Sequence, residues 1–151
     1  MLRFLQVTEN KPEKIVVASE NMKRGAVVTE DYATETVSKA TDTTDFYFVD
    51  VEEVRDGINA VVKPTGDAWE DIKANAKVFK VIPLIGERYA TTEVDTELAK
   101  GTPLKPSAGK LVTATSGDKY KAVFMGVYDD PTFETGKVGI VQFIETATVT
   151  E

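Results

Sequence analysis

The sequence predicts a mainly β protein, a small β-barrel or β-sandwich with one short helix, and three observations carry that expectation. Apolar runs are short and rich in Val, Ile, Thr, Tyr and Phe. Gly, Pro, Asn or Asp bound most of them, and they recur at the close spacing of strands in a closed or two-layered sheet. At 151 residues, with 42% hydrophobic residues, the chain is long enough to bury its own core. Residues 1–151 are read as a single β-rich domain, because no Pro-, Gly- or Ser-rich stretch is long enough to link two.

Strands are expected over residues 4–8, 14–19, 26–29, 46–51, 58–62, 78–85, 88–92, 110–114, 120–128 and 138–145. Residues 1–14 have two available roles. Leu2, Phe4 and Leu5 can form an arm that adds a strand to a neighbour, or they can form the first strand of the chain's own sheet. In Phe46-Tyr47-Phe48 side chains alternate faces, so if both phenylalanines enter the core Tyr47 points away from it and can anchor a partner. Turns fall at residues 63–66, 115–118 and 129–131, each built on Gly, Pro or Asp.

One segment breaks the strand pattern. Over residues 67–76, Asp67 can cap a helix, and Trp69, Ile72 and Ala76 share one helical face. A helix of two to three turns is expected there, covering an open end or face of the sheet. Its Trp69 is also a candidate contact residue, since tryptophan is enriched at the centres of interfaces.

Cysteine and histidine are both absent, which removes disulfides, thiolate nucleophiles, His-based relays and the usual zinc ligands. The formal charge of −7 opposes nucleic acid and anionic lipid, so neither is expected as a partner. No long apolar leader and no run of about 20 apolar residues is visible, and the expectation is a chain that is neither secreted nor membrane-spanning. The most acidic stretch, Asp42, Asp45, Asp50, Glu52, Glu53 and Asp56, lies largely on a strand whose alternation separates the carboxylates, and it lacks calcium-loop spacing. Gly136-Lys137-Val138-Gly139 lacks the pattern of a phosphate loop. No catalytic, cofactor or metal residues are therefore assigned.

The string Gly86-Glu87-Arg88-Tyr89-Ala90-Thr91-Thr92, then Leu98-Ala99-Lys100-Gly101-Thr102-Pro103-Leu104, Gly109-Lys110-Leu111-Val112-Thr113-Ala114 and Phe124-Met125-Gly126-Val127 resembles the small β-domains of tailed-bacteriophage capsid decoration, or cement, proteins and head-fibre bases. The resemblance spans residues 85–144. It implies a non-enzymatic virion structural protein that is assembled in the host cytoplasm, binds the major capsid protein on the capsid exterior and stabilises the shell as a homo-oligomer, often a trimer in such proteins. Leu2, Phe4, Leu5, Tyr47 and Trp69 are then the candidate partner contacts. A second reading is a carbohydrate- or other ligand-binding β-module, in which Trp69, Tyr47, Tyr89 or Tyr128 stacks on a sugar face. Residues 22–31 resemble a segment of carbohydrate-handling β-clip modules. A third reading, an enzyme using carboxylates or lysine, requires a cleft holding perturbed titratable groups.

Overall fold

Strand alternation divides the apolar residues between two cores in this protein, one inside a barrel and one between that barrel and a sheet. The computed structural model describes residues 1–7, 13–51, 71–129 and 137–150. They form thirteen strands: β1 (Leu2–Gln6), β2 (Glu13–Ala18), β3 (Met22–Lys23), β4 (Val27–Asp31), β5 (Thr36–Lys39), β6 (Tyr47–Asp50), β7 (Asp71–Ile72), β8 (Lys77–Val81), β9 (Arg88–Thr91), β10 (Pro103–Ser107), β11 (Lys110–Thr113), β12 (Lys119–Asp129) and β13 (Lys137–Thr148). Strands β2-β5-β4-β6-β8 close a barrel, and β1-β9-β13-β12-β10-β11 form a six-stranded sheet. The β-rich expectation holds, in its barrel form.

The barrel's lumen follows from register. Val28 lies opposite Lys39 and Tyr47, Glu30 opposite Val37, Val49 opposite Lys80, and Val16 opposite Val78. Directly opposed residues share a face, so these side chains all point inward. Val16, Ala18, Val28, Val37, Val49 and Val78 form the inner core together with Met22 and Ile72. The last two come from the β3–β7 ribbon, whose pairs Met22 with Ile72 and Lys23 with Asp71 lay it across one end of the barrel.

The alternate residues Val27, Phe48 and Val81 face outward and meet the sheet's inner face, which contributes Leu2, Tyr89, Leu104, Leu111, Phe124, Val141 and Phe143. Phe48 lies 5.1 Å from Tyr89 and 5.6 Å edge-on to Phe143, ring centre to ring centre. Phe46 adds a third ring against Phe143 at 5.9 Å. Such pairs contribute about 0.5–1.5 kcal/mol each beyond their buried area. Barrel and sheet are also joined at Gly25, whose carbonyl accepts from the Thr91 hydroxyl at 2.8 Å. A β-carbon there would sit 2.3 Å from the Met1 carbonyl oxygen, and the backbone φ of +86° suits glycine alone.

Two expectations are corrected and one unforeseen strand is added. The helix over 67–76 is not formed by its described part: Asp71–Ile72 is a strand, and Asn75 takes a left-handed φ of 68° that ends any helical run. Asn75 and Ala76 instead exchange backbone hydrogen bonds with Ala18, hooking the segment onto β2. The segment nevertheless covers an open barrel end, and residues 67–70 lie outside the described part of the chain. The strand expected over 78–85 stops at Val81, because Pro83 offers no N–H and a turn follows at Gly86, φ 89°. Finally, β10 went unread because of its two prolines. Pro106 is accommodated because its missing N–H falls on the side where β12 has already left the ladder, and its carbonyl accepts from Asp42 N–H at 2.9 Å. The expected strand over 58–62 and the turns at 63–66 and 130–131 lie outside the described residues.

Candidate docking surface

Opposite the ribbon, the barrel lumen ends in charge rather than in hydrocarbon. Alternation carries Lys14, Glu30 and Lys80 inward at this end. The Glu30 side chain has no exposed surface and accepts from Lys14 Nζ at 2.6 Å and from Lys80 Nζ, itself only 4% exposed. Burial alone would push the Glu30 carboxyl up, but hydrogen bonds and charge from the two lysines hold it below its ordinary value. Lys14 is held above its own, chiefly by the hydrogen bond to Glu30.

Two tyrosines roof this triad. The Tyr47 ring centre lies 4.2 Å from Lys80 Nζ and the Tyr32 ring centre 5.2 Å, both within cation–π range. Tyr47 donates its hydroxyl proton to Asp45 at 3.0 Å, so the 2.8 Å contact between the two hydroxyls is a donation from Tyr32 to Tyr47. Burial and these two partners raise the Tyr47 phenol above its usual value. Glu35, 3.2 Å from Lys14, supplies the second carboxylate, so the charges are matched within the chain. Tyr32 is 61% exposed, and Lys14 and Glu35 also reach solvent beside it.

A second surface feature sits at one corner of the six-stranded sheet. β1 is an outermost strand and runs antiparallel to β9, with Gln6 opposite Arg88. The turn that Leu84 and Glu87 close immediately precedes Arg88, so both segments meet at the same end of the sheet. Phe4, Leu5, Leu84 and Ile85 there are exposed by 37, 37, 46 and 68% respectively. They are four of the eight large hydrophobic residues that are exposed among the described residues, and Phe4 among them leans on the sheet's inner face, edge-on to the Tyr89 ring at 5.3 Å.

The sequence-derived candidates separate accordingly. Phe4 and Leu5 are on this corner, but Leu2 is only 2% exposed and belongs to the chain's own core, so it is withdrawn as a contact. Of the two roles open to residues 1–14, the described part, 1–7, takes the second, as a strand in its own sheet. Tyr47 is half-buried on the barrel rim. Trp69 lies outside the described residues. Tyr89 is fully buried with its hydroxyl on Glu87 at 2.9 Å, which removes it as a sugar platform, and Tyr128 is partly buried against Met1, Ala90 and Val138. In the acidic stretch, Asp42 pairs with Lys105 at 2.9 Å, Asp45 accepts from Tyr47, and Asp50 pairs with Arg24. Sequence reasoning missed Leu84 and Ile85, which it placed inside a strand, and Tyr32, whose only signal is an aromatic directly after the strand-end pair Glu30-Asp31.

No family model matches the chain, and no match to it is found among curated proteins or among solved structures.

Proposed function

We propose that the protein is a non-enzymatic virion component that docks on the exterior of a phage capsid, contacts the major capsid protein and stabilises the shell. The observation that carries this reading is the exposure of Phe4 and Leu5 on the outermost strand β1, together with Leu84 and Ile85 in the turn before β9 at the same end of the sheet. Exposed apolar groups at one end of a sheet, two of them on an edge strand, favour contact with another protein over contact with water. The sequence resemblance over residues 85–144 supplies the kind of partner, and that span includes Ile85 itself. Assembly in the host cytoplasm and a homo-oligomeric state, with a trimer as the form common in such proteins, belong to the same reading.

Co-sedimentation with undecorated capsids tests it. Folded protein at about micromolar concentration, the range of ordinary specific association, is expected to pellet with the shells and to saturate. Folded protein that stays in the supernatant would end the proposal.

A carbohydrate-binding reading has one specific observation in its favour, the exposed Tyr32 ring held in place by its hydroxyl bond to Tyr47. It has lost Tyr89. Sugar titrations that leave the tyrosine ring resonances of Tyr32 unmoved would remove its remaining support.

A further inference from the structure

We propose that the cavity between the β3–β7 ribbon and the turn joining β10 to β11 receives an acidic segment of the partner protein, an aspartate or glutamate side chain on an extended stretch of chain. This deepens the docking reading and rests on it, by stating what chemistry the partner must present.

The cavity has a volume of about 330 Å³, within the range of small ligand sites and ample for one acidic side chain. Its charge runs against that of the whole chain. Four lysines line it, Lys23, Lys39, Lys73 and Lys110, against two carboxylates, Asp71 and Glu93, in a protein whose formal charge is −7. These lysines lie far apart in sequence and come from β3, β5, the turn after β7, and β11. Only the fold brings them to one rim.

Two of the four are already engaged. Lys23 holds Asp71 at 2.5 Å, and Lys39 lies 3.8 Å from Glu20. Among the described residues Lys73 and Lys110 have no carboxylate within ion-pair distance, and both are exposed at the mouth. Two ammonium groups with open donors beside one cavity suit a carboxylate, which can accept several charge-assisted hydrogen bonds.

The floor suits the rest of such a side chain. Met22, Ala26 and Ile72 are each at most 4% exposed and offer hydrocarbon for its methylene groups. Lys39 is positioned by its stem, which lies so close over Gly109 that a β-carbon there would come within 2.8 Å of Lys39 Cγ. Lys110 also borders a second cavity of about 350 Å³, lined by Val94, Leu98 and Val112 along the outer side of β11. A segment that runs on past Lys110 meets apolar side chains there, with Asp95 on the same rim. A long polyanion such as nucleic acid meets the repulsive field of the rest of the chain, whereas a short acidic segment meets mainly the local lysines.

The test titrates the full-length protein with a ten-residue peptide of alternating Glu and Ala, followed by amide chemical shifts at low salt and again at about 150 mM. Inorganic phosphate and a ten-nucleotide oligothymidine are run in parallel. The expected result is peptide-induced shifts around Lys73 and Lys110, weakening several-fold with salt, and about tenfold weaker binding by Lys73→Glu/Lys110→Glu. The charge-matched Lys100→Glu/Lys119→Glu variant, also altered at exposed positions, should lose less than about twofold. No peptide-induced shifts at low salt, equal loss in both variants, or tighter binding of phosphate or oligothymidine than of peptide each overturns the proposal.

Capsid co-sedimentation separates this inference from the docking reading. If wild type pellets with capsids and Lys73→Glu/Lys110→Glu does not, the cavity is the acidic-segment receptor; if both pellet equally, the inference fails and docking stands. If wild type itself does not pellet, the docking reading fails and the peptide titration alone decides the cavity.

Discussion

The two ends of the barrel enclose the same lumen by opposite means. At one end the β3–β7 ribbon lays Met22 and Ile72 over the valines. At the other, Glu30 is buried between Lys14 and Lys80 beneath two tyrosines. Hydrophobic closure degrades gradually, since each lost methylene removes a fraction of the burial. Ionic closure does not. Removing one member of a buried pair leaves the other desolvated and uncompensated.

The largest expected effect is therefore at the charged end. Glu30→Ala strands Lys80, 4% exposed, and should cost about 3–5 kcal/mol of unfolding free energy by denaturant titration. Replacing Glu30 and Lys80 together by Leu and Met should recover a large part of that loss. If the single and the double variant are equally destabilised, the triad is not acting as a unit.

At the apolar end, Ile72→Ala should cost about 2–3 kcal/mol and Ile72→Val about 1, from lost burial and the residual cavity. This graded series is the control for the steep response opposite. A loss of equal size in both Ile72 variants would erase the contrast.

Acid should weaken the charged end. Because the folded Glu30 value lies below the unfolded one, its contribution is present above the ordinary carboxylate range and is lost as pH falls through the depressed value. Asp118, drawn down to about 2 by Thr115 and Lys105 in the turn before β12, works in the same direction. The difference between wild type and Glu30→Ala isolates Glu30. Their stabilities should converge at low pH, and curves that stay parallel would contradict the assignment. The smallest effect is expected from Tyr47→Phe, about 1 kcal/mol, because it removes two hydroxyl contacts and keeps the ring over Lys80.

The same barrel shows what a sequence can disclose. Phe46-Tyr47-Phe48 was legible as an alternation, and Tyr47 does point opposite to Phe46 and Phe48. The opposite face is not solvent, however: β6 has the sheet on one side and the lumen on the other. Alternation tells which residues part company, and only tertiary structure tells what each face meets. Glu30 gave no signal because its lysines lie 16 and 50 residues away in sequence. The lysines of the ribbon cavity give no joint signal for the same reason, since they stand at positions 23, 39, 73 and 110. Strands carried by Val, Phe and Tyr were found, whereas β5, with Ser38 and Lys39, and β10, with Pro103 and Pro106, were missed because their place in the sheet is set by neighbours rather than by propensity. The described part of the 67–76 segment, residues 71–76, covers a barrel end as expected but not as a helix. Trp69 and Ile72 fit a helical spacing, but the pairing of Ile72 with Met22 won.

The apolar corner carries the functional account, and one measurement addresses it directly. Leu84→Lys/Ile85→Lys changes two exposed side chains and should leave stability within about 0.5 kcal/mol. Saturation binding of this variant to undecorated capsids should be weakened by at least about tenfold relative to wild type, as expected when charge enters the centre of an apolar contact. Equal saturation by the two proteins would place the contact elsewhere and contradict the account.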